Sequence, residues 1–194
     1  MIRTARVTGL LYLGLAACGL FGFILIRPDV SDARVTFELL IVLTQALTAA
    51  GFYRLFRSAD PVSALGIGAF GLVNAVVVLV SAALLSAATD SPGNLPLLLL
   101  LSDKMWAVGS LFFGLWLLPL GTAVLRTKLM PPALGWILVA GAAGYVLHAF
   151  LPAALLTVPA SIGEFWMIGY LLLFGVRNTT EPALTSGGLD GDDI

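Results

Sequence analysis

The chain has 194 residues, of which 59% are hydrophobic and 11% charged, and its formal net charge is -1. A soluble domain of this size needs about 25% charged residues to cover its surface, so a mean hydropathy of +1.02 excludes a water-facing exterior and puts the outer surface against lipid. No basic stripe speaks for nucleic acid. The single Cys excludes an intrachain disulfide, and the single His argues against a multi-histidine metal centre. No metal, cofactor or catalytic set is expected.

The apolar runs are continuous and rich in Leu, Ala and Gly, which predicts helices rather than the alternating strands of a barrel. Six can be counted. The first covers Val7–Ile26 and closes at Arg27-Pro28-Asp29. Arg3, Arg6 and Leu15-Ala16-Ala17-Cys18 together imitate a bacterial lipoprotein signal. The run continues apolar through Phe21-Gly22-Phe23-Ile24-Leu25-Ile26, so a full span with an unmodified Cys18 is the expectation.

The second run covers Val35–Phe56 and the third Val62–Ala88, followed by the turn formers Thr89-Asp90-Ser91-Pro92-Gly93-Asn94. The fourth covers Met105–Leu125, with Leu95–Leu101 either extending it or lying at the interface. Pro119 falls inside it and removes a backbone bond, so a kink beside Trp116 or a hinge is expected there. The fifth run, Ala133–Leu151, opens at Pro131-Pro132, and the sixth is Pro159–Val176. Each is close to the roughly 20 residues that cross a hydrocarbon core.

The fold class is therefore all-α: a polytopic transmembrane bundle over residues 1–177, with a flexible acidic cytoplasmic tail over 178–194. The match of Asn178-Thr179-Thr180 to a glycosylation site is then chance. Lys and Arg set the orientation. With both termini cytoplasmic, Arg3, Arg6, Arg54, Arg57, Arg126, Lys128 and Arg177 lie inside, and Arg27, Arg34 and Lys104 outside. A faint repeat, Arg57…Ala64-Leu65-Gly66 against Arg126…Ala133-Leu134-Gly135, suggests related hairpins, although chance serves equally well in so biased a composition.

Gly66-x-Gly68-x-x-Gly71 spells the dinucleotide fingerprint, but it lies inside an apolar run with no preceding strand. Packing surfaces are the expected use of these glycines, and of Gly109/Gly114/Gly121, Gly141/Gly144 and Gly163/Gly169. Trp106, Trp136 and Trp166 fall near helix ends, where interfacial anchoring is the default.

Polar residues at membrane depth carry the functional information, since each is costly unless paired or hydrated. Helical spacing places Glu38, Gln45 and Thr48 on one face, Asn74 with Ser81, Asp103 with Ser110, and Tyr145 with His148; Glu164 stands about one turn into the last helix. Glu38, Gln45, Asn74, Asp103, Ser110, Tyr145, His148 and Glu164 are the ligand- or proton-binding candidates. Glu38, Asp103, Lys104, His148 and Glu164 converge on the outer half, with Glu38, His148 and Glu164 expected to face one another. Interhelical hydrogen bonding and snorkelling would use the same residues without any ligand.

Leu111-Phe112-Phe113-Gly114-Leu115-Trp116, Leu120-Gly121, Leu134-Gly135, Gly141, Gly144-Tyr145 and Gly163-Glu164 carry a resemblance. So does the opening Ala5-Arg6-Val7-Thr8-Gly9-Leu10-Leu11-Tyr12. The chain resembles, from about Ala5 to Arg177, the bacterial six-helix membrane family called domain of unknown function 4386, departing from it in its short outer loops. The resemblance implies a multi-pass protein of the bacterial cytoplasmic membrane and an acidic residue at Glu164; it implies no activity.

Three functions compete. One is a membrane protein that binds or transports a small molecule, proton or lipid through the outer polar pocket. Another is a structural or regulatory subunit of a larger complex. The third is an intramembrane lipid-modifying enzyme, and the absence of a nucleophile motif leans against it. The expected partners are membrane lipid, a small-molecule or lipid ligand, and a homo- or hetero-oligomer made through helix faces.

Overall fold

A computed structural model describes residues 2–22, 32–151 and 153–176. The expected loop at 27–29, the end of the first span, Arg177 and the acidic tail lie outside the described residues. Six long helices are described: α1 (Ile2–Phe21), α2 (Asp32–Phe56), α3 (Pro61–Asp90), α4 (Leu95–Thr127), α5 (Pro132–Phe150) and α6 (Val158–Leu173). Short 3-10 turns, Pro92–Asn94 and Ala154–Thr157, precede α4 and α6. All six are long and apolar enough to cross a membrane. The chain is an all-helical, multi-pass membrane protein.

Local chemistry sets the boundaries. Pro61 and Pro132 occupy first helical positions, where a missing N–H costs nothing. Asp60 caps α3: its carboxylate accepts from the Ser63 backbone N–H at 3.1 Å and from the Ser63 hydroxyl at 2.7 Å. Lys128 ends α4 in the left-handed conformation, φ 55°, and donates its N–H to the Val124 carbonyl. Leu95–Leu101 belongs to α4, which is one unbroken helix of 33 residues. Its length follows from an apolar sequence that holds no breaker between Leu97 and Pro119.

Neighbours in sequence are neighbours in space, and α1 closes the ring by packing on α6 as well as α2. The α2–α3 and α4–α5 turns share one end of the bundle, where Arg126 of α4 lies 3.7 Å from Asp60. Partial burial pushes the Asp60 carboxyl up, but the Ser63 hydrogen bonds and the Arg126 guanidinium outweigh it and hold it below the usual carboxylate range. Arg54 and Arg57 flank the same turn, so this is the basic end.

The half of the bundle nearest the basic end is close-packed. Phe52, Phe56, Ile67, Trp116, Leu120 and Leu134 are fully buried there. Trp116 of α4 reaches across to α1 and α2, its ring centroid 5.4 Å from Tyr12 and 6.3 Å from Phe52. Small residues allow this closeness. A methyl group on Gly114 would stand 2.7 Å from the Ala142 carbonyl oxygen, and one on Gly71 would stand 2.6 Å from Ala49 Cβ. Gly66 takes the Pro119 ring, so the three fingerprint-like glycines are helix contacts, with Gly68 facing Tyr53. Pro119 leaves α4 continuous, and Trp116 fills the space beside it. Gly169 meets nothing within 4 Å and is no packing surface.

Candidate functional site

At the opposite end the helices part around a partly enclosed cavity of about 560 Å³ between α1, α2, α4, α5 and α6. Five of the eight candidate residues line it: Asp103 and Ser110 from α4, Tyr145 and His148 from α5, and Glu164 from α6. Apolar and aromatic side chains make up most of the remaining wall, notably Trp106, Phe113 and Phe165.

Glu164 stands six residues into α6, deeper than the single turn its sequence position suggests. The Tyr12 hydroxyl of α1 donates to its Oε1 at 2.8 Å. That bond is made possible by Gly9, one turn below Tyr12, where α1 and α6 touch: a Cβ on Gly9 would lie 2.9 Å from Leu171 Cβ. Tyr12 is buried to 1% exposure, and a buried tyrosine hydroxyl takes a hydrogen-bond partner, here this carboxylate.

Glu38 does not line the cavity. It sits behind Trp106, whose indole N–H donates to its Oε1 at 3.1 Å. Arg34, one turn earlier on α2, lies 3.8 Å from Glu38 and 3.3 Å from Asp103. Arg34 is buried although the sequence places it in an outer loop, because it spans two carboxylates on different helices. Asp103 lines the cavity with Ser110 while keeping half its side chain exposed, and Lys104 is exposed outside the cavity.

His148 Nδ1 lies 3.2 Å from the Ala153 carbonyl oxygen, a local contact that fixes the ring at the end of α5. Among the described residues no hydrogen bond or ion pair joins Glu38, His148 and Glu164 to one another. Each has its own partner instead. His148 and Glu164 line the same cavity, and Glu38 stands outside it behind the Trp106 ring.

Gln45, Thr48 and Asn74 point inward as their spacing requires, but into the interior below the cavity. The amide atoms of Gln45 and Asn74, the Thr48 hydroxyl and the Trp116 indole N–H are buried without a protein hydrogen-bond partner. Ser81 pairs with Ser102 across α3 and α4 at 2.8 Å.

Tyr12, Arg34 and Trp106 are the site residues that the sequence does not single out. Trp106 is no interfacial anchor: it stacks on Phe113, centroids 6.4 Å apart, and Phe113 stacks on Tyr145 at 5.6 Å. Trp136 and Trp166 do face outward, at 64% and 40% exposure. Cys18 lies within α1, half-buried.

The family model described as domain of unknown function (DUF4386) matches residues 31–175. The chain belongs to this family. The match covers α2 through α6 and so takes in Glu164 and most of the cavity wall; α1, with Tyr12 and the opening motif, lies before it. No curated protein and no solved structure matches the chain. DUF4386 membership carries no activity, so the chemistry is read from the site.

Proposed function

We propose that the protein binds a small amphipathic molecule inside the membrane, in the cavity at its polar end. The observation that carries this reading is a cavity of about 560 Å³ whose mostly apolar wall holds a few convergent polar groups, Glu164, Tyr12, Tyr145 and His148. This is the composition of a ligand site, where apolar area supplies affinity and placed polar atoms supply orientation. A protein whose polar residues served packing alone would close them into a dry seam, as Ser81 and Ser102 do.

Native mass spectrometry of the protein released from lipid nanodiscs tests the reading. A small molecule or single lipid should be retained by the wild type and lost in Gly19→Phe. Gly19 borders the cavity, and a Cβ there meets nothing within 4 Å, so the added ring fills the cavity without disturbing a helix contact. Identical spectra for the two proteins would refute it.

We further infer a bacterial cytoplasmic membrane location with both termini cytoplasmic. The support is Arg54, Arg57, Arg126 and Lys128 collected around two turns at one end. A Cys introduced at Ser91 should label from outside intact cells; labelling only after the cytoplasmic side is opened would reverse the orientation.

A further inference from the structure

We propose that the cavity takes a lipophilic organic cation, an amine or quaternary ammonium on an apolar body, with Glu164 as its counter-charge. This deepens the preceding reading and rests on it: it names the class of ligand for the same cavity.

The first observation is the isolation of Glu164. Among the described residues its one hydrogen bond comes from the neutral Tyr12 hydroxyl. Among the described residues no Lys, Arg or His lies within ion-pair distance of it. An acidic group this far into a membrane helix is costly unless something answers its charge. A hydroxyl answers one lone pair and no charge. Arg34 at the same end is held by Glu38 and Asp103, and His148 is turned to the Ala153 carbonyl.

The second observation is independent of Glu164. Tyr12, Trp106, Phe113, Tyr145 and Phe165 all line the cavity. Trp106, Phe113 and Tyr145 stack on one another with centroid spacings of 6.4 and 5.6 Å, so the faces they share are covered and only the ring surface turned to the cavity meets a guest. Aromatic faces are the negative ends of ring quadrupoles, and several around one space attract ammonium groups most strongly where water is excluded. An anion would meet these faces and a carboxylate together. A neutral ligand would be met by Glu164 only in its protonated form, as a hydrogen-bond donor, whereas a cation pairs with the carboxylate. A bare metal ion would want several hard ligands, and no group of three His, Cys, Asp or Glu suited to one occurs among the described residues. An organic cation satisfies both the carboxylate and the walls, and its apolar body matches the rest of the lining.

Benzyltrimethylammonium and its uncharged isostere neopentylbenzene make the test, because they differ in charge and hardly in shape. Binding to the full chain in nanodiscs is followed by Trp fluorescence and equilibrium dialysis against empty nanodiscs. The cation should bind roughly tenfold tighter than the isostere, the scale of a desolvated cation–π and ion-pair contact. In Glu164→Gln that preference should shrink to about twofold while isostere binding stays unchanged. Phe165→Leu, at a partly exposed position of the cavity wall, should weaken the cation about threefold more than the isostere, and equal weakening of both would remove Phe165 as a cation contact. Equal binding of both probes would overturn the cation class and leave the ligand-binding reading standing. Binding of neither would overturn both. A preference that survives Glu164→Gln would overturn Glu164 as the counter-charge.

Discussion

The two halves of this bundle are built from the same six helices and the same apolar alphabet, yet one is solid and the other is hollow. Toward the basic end, Gly9, Gly71, Gly114 and Gly121 bring backbones together, and Phe52, Phe56 and Trp116 fill what remains. Toward the polar end the inward positions pass to large rings and charged groups: Trp106, Phe113, Tyr145 and Glu164. Large side chains at several levels hold helices apart, and here they leave a cavity rather than interdigitating. Glycine contacts occur beside the cavity too, where Gly144 meets the Leu156 backbone, so the difference teaches that the size of the side chains between the helices decides where this bundle closes.

The sharpest way to break this comparison is to add one methyl group to each half. Gly114→Ala drives a Cβ to within 2.7 Å of the Ala142 carbonyl oxygen and 2.9 Å of the Val146 backbone nitrogen, neither of which can move without its helix. A loss of about 3 kcal/mol is expected in SDS-titration unfolding. Gly19→Ala, where nothing lies within 4 Å, should change stability by less than about 0.5 kcal/mol. Similar losses at the two sites would mean that the halves are packed alike.

A smaller effect is expected at the boundary between them. Tyr12→Phe removes the hydroxyl that donates to Glu164 and leaves the ring contacts with Phe52 and Trp116 in place. A carboxyl that keeps some access to the cavity recovers part of the loss, so unfolding free energy should fall by about 1–2 kcal/mol. Adding Glu164→Leu to Tyr12→Phe should cost less than the sum of the two single changes, since each removes the same hydrogen bond. Strict additivity in that double-mutant cycle would show that the bond contributes nothing.

The smallest effect belongs to the basic end. The Asp60 carboxyl is held below its ordinary value, so its stabilisation is fully present above about pH 4 and is lost as pH falls through the depressed folded value. Unfolding free energy should therefore decline by about 1 kcal/mol on acidification below pH 4. Asp60→Asn should flatten that part of the profile, because an amide still caps the helix but does not titrate. A profile unchanged by Asp60→Asn would remove Asp60 from the balance.

Hydropathy and periodicity make six helices legible, and the helical repeat alone turns Gln45, Asn74 and Ser81 inward, where they are buried. Periodicity also brings Ser110, Tyr145, His148 and Glu164 to a shared interior. It says nothing of which helix stands beside which at a given depth. Tyr12 therefore passes as one more apolar-run residue, since its pairing with Glu164 depends on α1 returning to α6 across 152 positions of sequence. Trp106 misleads for a related reason. Tryptophan near a helix end is ordinarily interfacial, but α4 extends ten residues beyond Met105 toward the polar end, so Trp106 is not near an end at all.

That extension has a consequence for the surrounding lipid. At 1.5 Å per residue, the 33 residues of α4 span about 50 Å, and the 20 of the last span, Ala154–Leu173, about 30 Å. A hydrocarbon slab of about 30 Å matches the last span and accommodates the long helix by tilt or overhang. A thicker slab must thin beside α5–α6, whereas α3–α4 has length to spare. The apolar distance a charged visitor crosses to reach Glu164 is then set on the α5–α6 side. Reconstitution in bilayers of graded acyl length should then tune how quickly the cavity fills, with thicker membranes slower, through a dimension of the host rather than any residue of the protein.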